Sequence, residues 1–340
     1  MRIVNLEGLY LVPALRSLGH DVIAVGQTES SDVRLDHPVS AAALWRALAD
    51  RGFAPDLVLW CDLCRPPAVL DLERLPAVTA GYSIDQYCNP WHVPLSAGFD
   101  IFLVAQKDYL PLFADPRLAG RRVEWRPLFC DPDADRDPGG ERDIPVSFVG
   151  TPDPPLNPGR KPFLAGFRRL APLVSLTGDY RPVFGRSRIV LNQSAVNELN
   201  FRIFQGMSCG AALLTEACGN GLDELFTPGE DLYAYARGDC ADAARTALAA
   251  LGDGSWAAVA ASGRDKVRER HSTYARARRI VELAEAVLAE GPERWRLRNA
   301  AVVREETARA FAMLAADTLL PLPDELRAHY AAHSARLLRD

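Results

Sequence analysis

The stretch LNQSAVNELNFRIFQGMSCGAALLTEA, Leu191 to Ala217, decides how this chain is read. It continues the apolar run Ile189-Val190-Leu191 and passes through a polar turn. Leu199, Ile203, Phe204 and Met207 then follow at the spacing of one helical face. Gly210 stands where a helix ends in a left-handed turn, and AALLTEA resumes a strand. The pattern is strand, turn, helix, strand. It predicts a helix whose first turns carry Asn197, Asn200 and Arg202, starting at the carboxyl end of a buried strand. A helix start carries about half a positive charge, and its free N–H groups suit a phosphate. An arginine is out of place there unless an anion lies beside it, so Arg202 points to a bound diphosphate. The competing reading is an ordinary surface pair between Arg202 and Glu198.

The same rhythm extends in both directions. Upstream, MRIVNL, HDVIAVG, PDLVLWC, AVTAGYSID, DIFLVAQ and RVEWRPL read as strands separated by helical stretches. Short apolar strands between helices imply a parallel sheet covered on both faces. A first Rossmann-like domain is expected over residues 1–131. The polar stretch at 132–143, rich in Asp, Pro and Gly, reads as a linker. A second doubly wound domain follows over 144–290, and 291–340 forms a helical tail. Ligands of such sheets bind at the carboxyl ends of the strands, and two such domains in series leave a cleft.

Composition bounds the function. Of 340 residues, 48% are hydrophobic and 24% charged, which is globular, and the net charge of −5 gives no support for nucleic-acid binding. No apolar run approaches the ~18 residues of a membrane span. The opening MRIVNLEGLY is strand-like and without a leader pattern, so a cytoplasmic protein is expected. Seven scattered cysteines suit reduced thiols. Cys61 and Cys64 form a CxxC without a second pair and read as small residues at a strand end.

Three further segments carry candidate chemistry. In VGTPDPPLNPGRKPF, Gly150 and Thr151 end a strand while Arg160 and Lys161 open a helix, an arrangement suited to an anion although not a P-loop. A solvated basic helix start is the plainer alternative. In YSIDQYCNPWHVPLSAGFD, Asp85 and His92 are the groups that could take a proton from an acceptor hydroxyl. The missing segments count too: no GxGxxG follows the first strand, which disfavours a nicotinamide oxidoreductase, and no GxSxG elbow is present.

LNQSAVNELNFRIFQGMSCGAALLTEA, GLDELFTPGEDLYAY and SGRDKVRERHSTYARARRIVEL together resemble the C-terminal domain of CgeB-like glycosyltransferases. These are of the spore-maturation-protein type and related to the group-1 glycosyltransferases. FDIFLVAQKDYLPLF and VSFVGT are similar to segments of the same family. The resemblance covers most of Tyr82 to Leu283. It implies an α/β GT-B fold, two facing Rossmann-like doubly wound domains with a helical C-terminal tail packing back on the first. It further implies a metal-independent transferase without a cofactor, taking a sugar from a nucleoside-diphosphate donor to an unidentified acceptor that could be a glycan, a protein or a small molecule. Gly150, Thr151, Arg160, Lys161, Asn197, Asn200, Arg202 and Gln205 would surround the donor, with Asp85 or His92 on the acceptor side. The relatives carry glutamates where this chain has Asn197 and Gln205. A neutral Gln205 binds ribose hydroxyls less strongly than a carboxylate, which supports an alternative as a catalytically silent homologue that binds a nucleotide or a protein.

Overall fold

The computed structural model of the chain describes residues 1–291 and 294–339. It divides into two compact units. The first is Met1–Ala105, Tyr109–Arg126 and the chain from Ala277 onward; the second is Gln106–Asp108 with Pro127–Arg276.

The first unit contains β1 (Arg2–Glu7), β2 (Asp21–Gly26), β3 (Val33–Arg34), β4 (Val39–Ser40), β5 (Leu57–Cys61), β6 (Val69–Leu70), β7 (Val78–Ser83), β8 (Ile101–Val104) and β9 (Arg122–Trp125). Seven of them form one sheet in the order β3-β2-β1-β5-β7-β8-β9, and β4 pairs with β6 beside it. Every pairing is parallel, with Val4 between Ile23 and Val58. Residues of β5 and β7 are buried throughout, as expected of strands covered on both faces. The core gathers Trp60, Trp91, Phe99, Phe102 and Phe113 with Phe311, Leu314 and Tyr330 from the helices Ala300–Ala316 and Asp324–Leu337.

One buried ion pair fastens the C-terminal segment to this core. Arg296 Nε donates to Asp100 Oδ1 at 3.0 Å, while its other nitrogens donate to the carbonyls of Leu72, Glu73, Leu75 and Ala77. The other Asp100 oxygen accepts from the N–H and hydroxyl of Thr79. Every donor of this guanidinium finds an acceptor, which is the condition for burying a charge.

The second unit holds β10 (Ile144–Val149), β11 (Val174–Leu176), β12 (Ser187–Asn192), β13 (Ala212–Glu216) and β14 (Tyr233–Tyr235), all parallel in the order β11-β10-β12-β13-β14. Phe148, Phe163, Phe167, Ile189 and Leu191 form its core with Ala243, Ala244, Ala247 and Ala250 of the helix Cys240–Asp253. Small alanines let that helix lie close, and Asp239 caps its start by accepting from the N–H groups of Ala241 and Asp242.

The polar stretch 132–143 belongs to this second unit and is tied down. Asp135 Oδ1 accepts from the Tyr180 hydroxyl at 2.7 Å, its carbonyl accepts from Ser208, and Arg142 donates to the carbonyls of Ser187 and Cys209. Gln106 is held by reciprocal amide bonds to Leu199, and Asp108 by reciprocal bonds to Asn220. Among the described residues no helix is long and apolar enough to cross a membrane.

Candidate functional site

In the second sheet, counting its strands in chain order, the sequence of neighbours is 2-1-3-4-5, so chain direction across the sheet reverses between β10 and β12. The crevice outside the carboxyl ends at such a reversal is where doubly wound sheets bind ligands. A cavity of about 330 Å³ lies there, built from the end of β10, the helix Arg160–Leu170 and the segment after β12.

The segment after β12 differs from its reading as one helix. Asn197 adopts a left-handed conformation (φ +68°), and the helix runs only over Phe201–Ser208. The Glu198 carboxylate accepts from the Ser194 hydroxyl and the N–H groups of Ala195 and Val196, which winds this turn on itself. Asn200 stands at the helix N-cap, but its side chain makes no capping bond, and its buried Oδ1 has no hydrogen-bond partner among the described residues. The predicted apolar face is present: Leu199, Ile203, Phe204 and Met207 are fully buried. Gly206 allows the helix to rest on Val190, since an added Cβ would lie 3.1 Å from Val190 Cγ1.

Two guanidiniums occupy the cavity wall. Arg202 Nε donates to the Val149 carbonyl at 3.0 Å and its Nη1 to Asn192 Oδ1 at 2.8 Å. Arg160 donates to Gln193 Oε1, to the Gln193 carbonyl and to the Thr151 carbonyl. The Phe148 ring lies beneath both, 4.5 Å from Arg202 Cζ and 5.7 Å from Arg160 Cζ. All of these acceptors are neutral. Neither arginine forms an ion pair among the described residues, because Glu198 turns its oxygens to its own loop. Burial, and next the nearby Arg160 cation, push the Arg202 guanidinium down to about 10. Two cations without a direct ion pair among the described residues stand side by side at a helix start, with the Glu198 carboxylate on the same wall, an arrangement suited to an anion.

The expected donor residues therefore separate. Arg160, Asn200, Arg202 and Gln205 line one cavity. Gly150 supports it by leaving room for Arg202, whose Nη2 a Cβ at that position would strike. Thr151 contributes its carbonyl to Arg160. Lys161 faces outward and pairs with Asp153 at 3.1 Å on the surface. Asn197 turns toward Gly219 and Asn220, accepting from both. Tyr180 and Phe184, with ring centroids 5.2 Å apart, complete the wall. Their spacing of four residues in GDYRPVFG, just before β12, was the signal available for them.

On the first unit, His92 is fully buried between Trp60 and Trp91, with ring centroids 5.3 and 4.2 Å away. Its Nδ1 lies 2.8 Å from Ser83 Oγ, and burial holds it neutral, at about 4. That is a packing position. Asp85 sits half-buried after β7, where it accepts from the Tyr87 hydroxyl and from Cys64 Sγ. Cys61 is buried and Cys64 exposed, and burial raises both thiols, so the CxxC lacks the lowered thiol of a redox pair.

Residues 149–282 match the family described as "Glycosyl transferase-like". The fold is that of GT-B glycosyltransferases. A glycosyltransferase from Rickettsia africae superposes with a TM-score of 0.62 at 10% identity, over 84% of this chain and 98% of that one. Sucrose-phosphate synthase from Thermosynechococcus elongatus gives 0.61 at 12% identity, over 86% and 100%. Anabaena HepE in complex with UDP and glucose gives 0.60 at 12% identity, over 84% and 100%. No curated protein matches in sequence. The family match lies almost wholly within the second unit, and the solved structures agree with it in fold.

Proposed function

We propose that the chain transfers a sugar from a nucleoside-diphosphate donor, held at the carboxyl edge between β10 and β12, to an acceptor hydroxyl. One observation carries this reading: Arg160 and Arg202 converge on the cavity, and among the described residues their hydrogen-bond acceptors are all neutral. A diphosphate would supply the missing negative charge. Transfer breaks the bond between the anomeric carbon and the phosphate oxygen, and the electron pair stays on the departing diphosphate. The two guanidiniums and the start of the helix Phe201–Ser208 would stabilise that charge, so no metal enters the proposal. The buried Asn200 Oδ1, without a hydrogen-bond partner among the described residues, would accept from a donor hydroxyl. Asp85 is the carboxylate assigned to the acceptor proton, and His92 takes no step. The CgeB-like subtype suggested by the sequence is part of the same proposal. HepE complexes with UDP and with UDP-glucose make uridine diphosphate the first ligand to try.

A thermal-shift series with UDP, GDP, dTDP and ADP tests the reading. One diphosphate should raise the midpoint, by an amount worth about 2.7 kcal/mol at one hundred times its Kd, and Arg202→Ala should abolish the effect. No shift with any of them would sink it. Gln205, a neutral amide on the cavity wall, favours one second reading, a silent homologue that binds a nucleotide without turnover. Release of sugar from the bound donor, with or without acceptor, would exclude that reading.

A further inference from the structure

Arg202 reaches the cavity wall from the first turn of the helix Phe201–Ser208, and neutral groups fix where its guanidinium lies. Nε donates to the Val149 carbonyl, Nη1 donates to Asn192 Oδ1, and the Phe148 ring lies beneath. Nη2 comes against Gly150, where an added Cβ would strike it. Of the two acceptors, one is backbone and the other, Asn192, is a side chain.

Asn192 ends β12 and is fully buried. A guanidinium only donates, so the amide atom that faces Nη1 is the oxygen. The amide nitrogen then points away and donates to Thr215 Oγ1 at 2.9 Å. Thr215 sits opposite Asn192 on β13 and is also fully buried. The Asn192 carbonyl accepts from the Tyr235 hydroxyl at 2.8 Å, so backbone and side chain are both held. A reversed amide would set N–H against N–H at Arg202.

An aspartate has the shape to take the same place. One oxygen would meet Nη1, and the Thr215 hydroxyl would turn its proton to the other. Arg202 would then hold a buried ion pair, and its charge would be spent inside the protein. The carboxylates nearby are engaged otherwise: Glu198 accepts from Ser194, Ala195 and Val196, and Glu216 from the Ser194 N–H. Neither forms an ion pair with Arg202 among the described residues.

We propose that Asn192, held by Thr215, is a positioning residue that aims Arg202 at the diphosphate and, being neutral, leaves the guanidinium charge to the ligand. This rests on the reading of the cavity as a diphosphate site.

Calorimetric titration of the full chain with UDP, GDP, dTDP and ADP, and with their parent nucleosides, tests it. In the wild type one diphosphate should bind about tenfold or more tighter than its nucleoside. Asn192→Asp should cut that gain by about tenfold. The nucleoside affinity should stay, and the melting midpoint should hold or rise, because an ion pair replaces a neutral bond. Thr215→Val, which frees the amide to turn, should cut the gain by about fivefold. A packing role alone would lower the midpoint and both affinities together, and that outcome overturns the proposal. So does a gain that either substitution leaves undiminished while Arg202→Ala loses it; the diphosphate reading would then stand without this one. No gain in the wild type would remove both.

Discussion

At the scale of single residues, burial decides which groups act and which pack. Arg202, Arg160 and Lys161 are all cations near helix starts, yet the two arginines face a cavity while the lysine meets Asp153 in solvent. Sequence places all three at helix starts; it cannot give the direction of a side chain. His92 illustrates the same point, since it opens a short helix, His92–Leu95, while Trp60, which encloses it, lies on β5. Burial lowers His92 to about 4 and His271, beside Arg276, to about 3. Both are neutral when folded, so their contribution is present above the unfolded value near 6.5 and is lost as pH falls toward 4. Glu73, pushed up to about 7 by burial, acts in the opposite sense over the same window. The clean observable is therefore a difference. Between pH 7 and pH 5, urea unfolding of the wild type should lose roughly 2 kcal/mol more than that of His92→Gln. Equal losses would show that His92 protonates freely in the fold.

At the scale of elements, apolar runs were legible and turns were not. The inner strands of both sheets appear where short Val, Ile and Leu runs predict them, because a strand buried on both faces can hold little else, whereas the short edge strands β3 and β14 carry no such run and escape that reading. The helix after β12 was read too long. Its apolar spacing does begin at Leu199, but the left-handed Asn197 and the self-capping Glu198 delay the helix to Phe201. Asn tolerates that conformation well, so the sequence permitted both outcomes. Tyr180 and Phe184 escaped notice because a one-turn helix carries too little periodicity to mark a face. Beyond reach altogether was Arg296, whose partner Asp100 lies 196 residues away. Arg296→Met leaves that carboxylate buried and unpaired and should cost about 3–5 kcal/mol by chemical unfolding. Adding Asp100→Asn should restore part of the loss. A cost below about 1 kcal/mol would mean the pair is solvated and does not fasten the C-terminal segment.

At the scale of the whole molecule, two parallel sheets in the orders 3-2-1-5-7-8-9 and 11-10-12-13-14 each reverse direction once. The second reversal, between β10 and β12, is where Arg160 and Arg202 stand. The repeated strand and helix rhythm made a two-sheet α/β fold readable, and the strand-turn-helix pattern at Leu191 pointed to the edge where the cavity of Arg160 and Arg202 lies. Strand order and the closing of the cavity depend on pairings across the chain, which no local pattern encodes. The central claim is that two arginines with no direct ion pair among the described residues hold a diphosphate there. The most direct measurement is calorimetric: the affinity of the preferred nucleoside diphosphate against its parent nucleoside, in the wild type and in Arg160→Gln with Arg202→Gln. The account predicts that the diphosphate gains about tenfold or more over the nucleoside in the wild type and that this gain collapses in the double variant. A gain that survives the loss of both arginines, or a nucleoside that binds as tightly as its diphosphate, would contradict it.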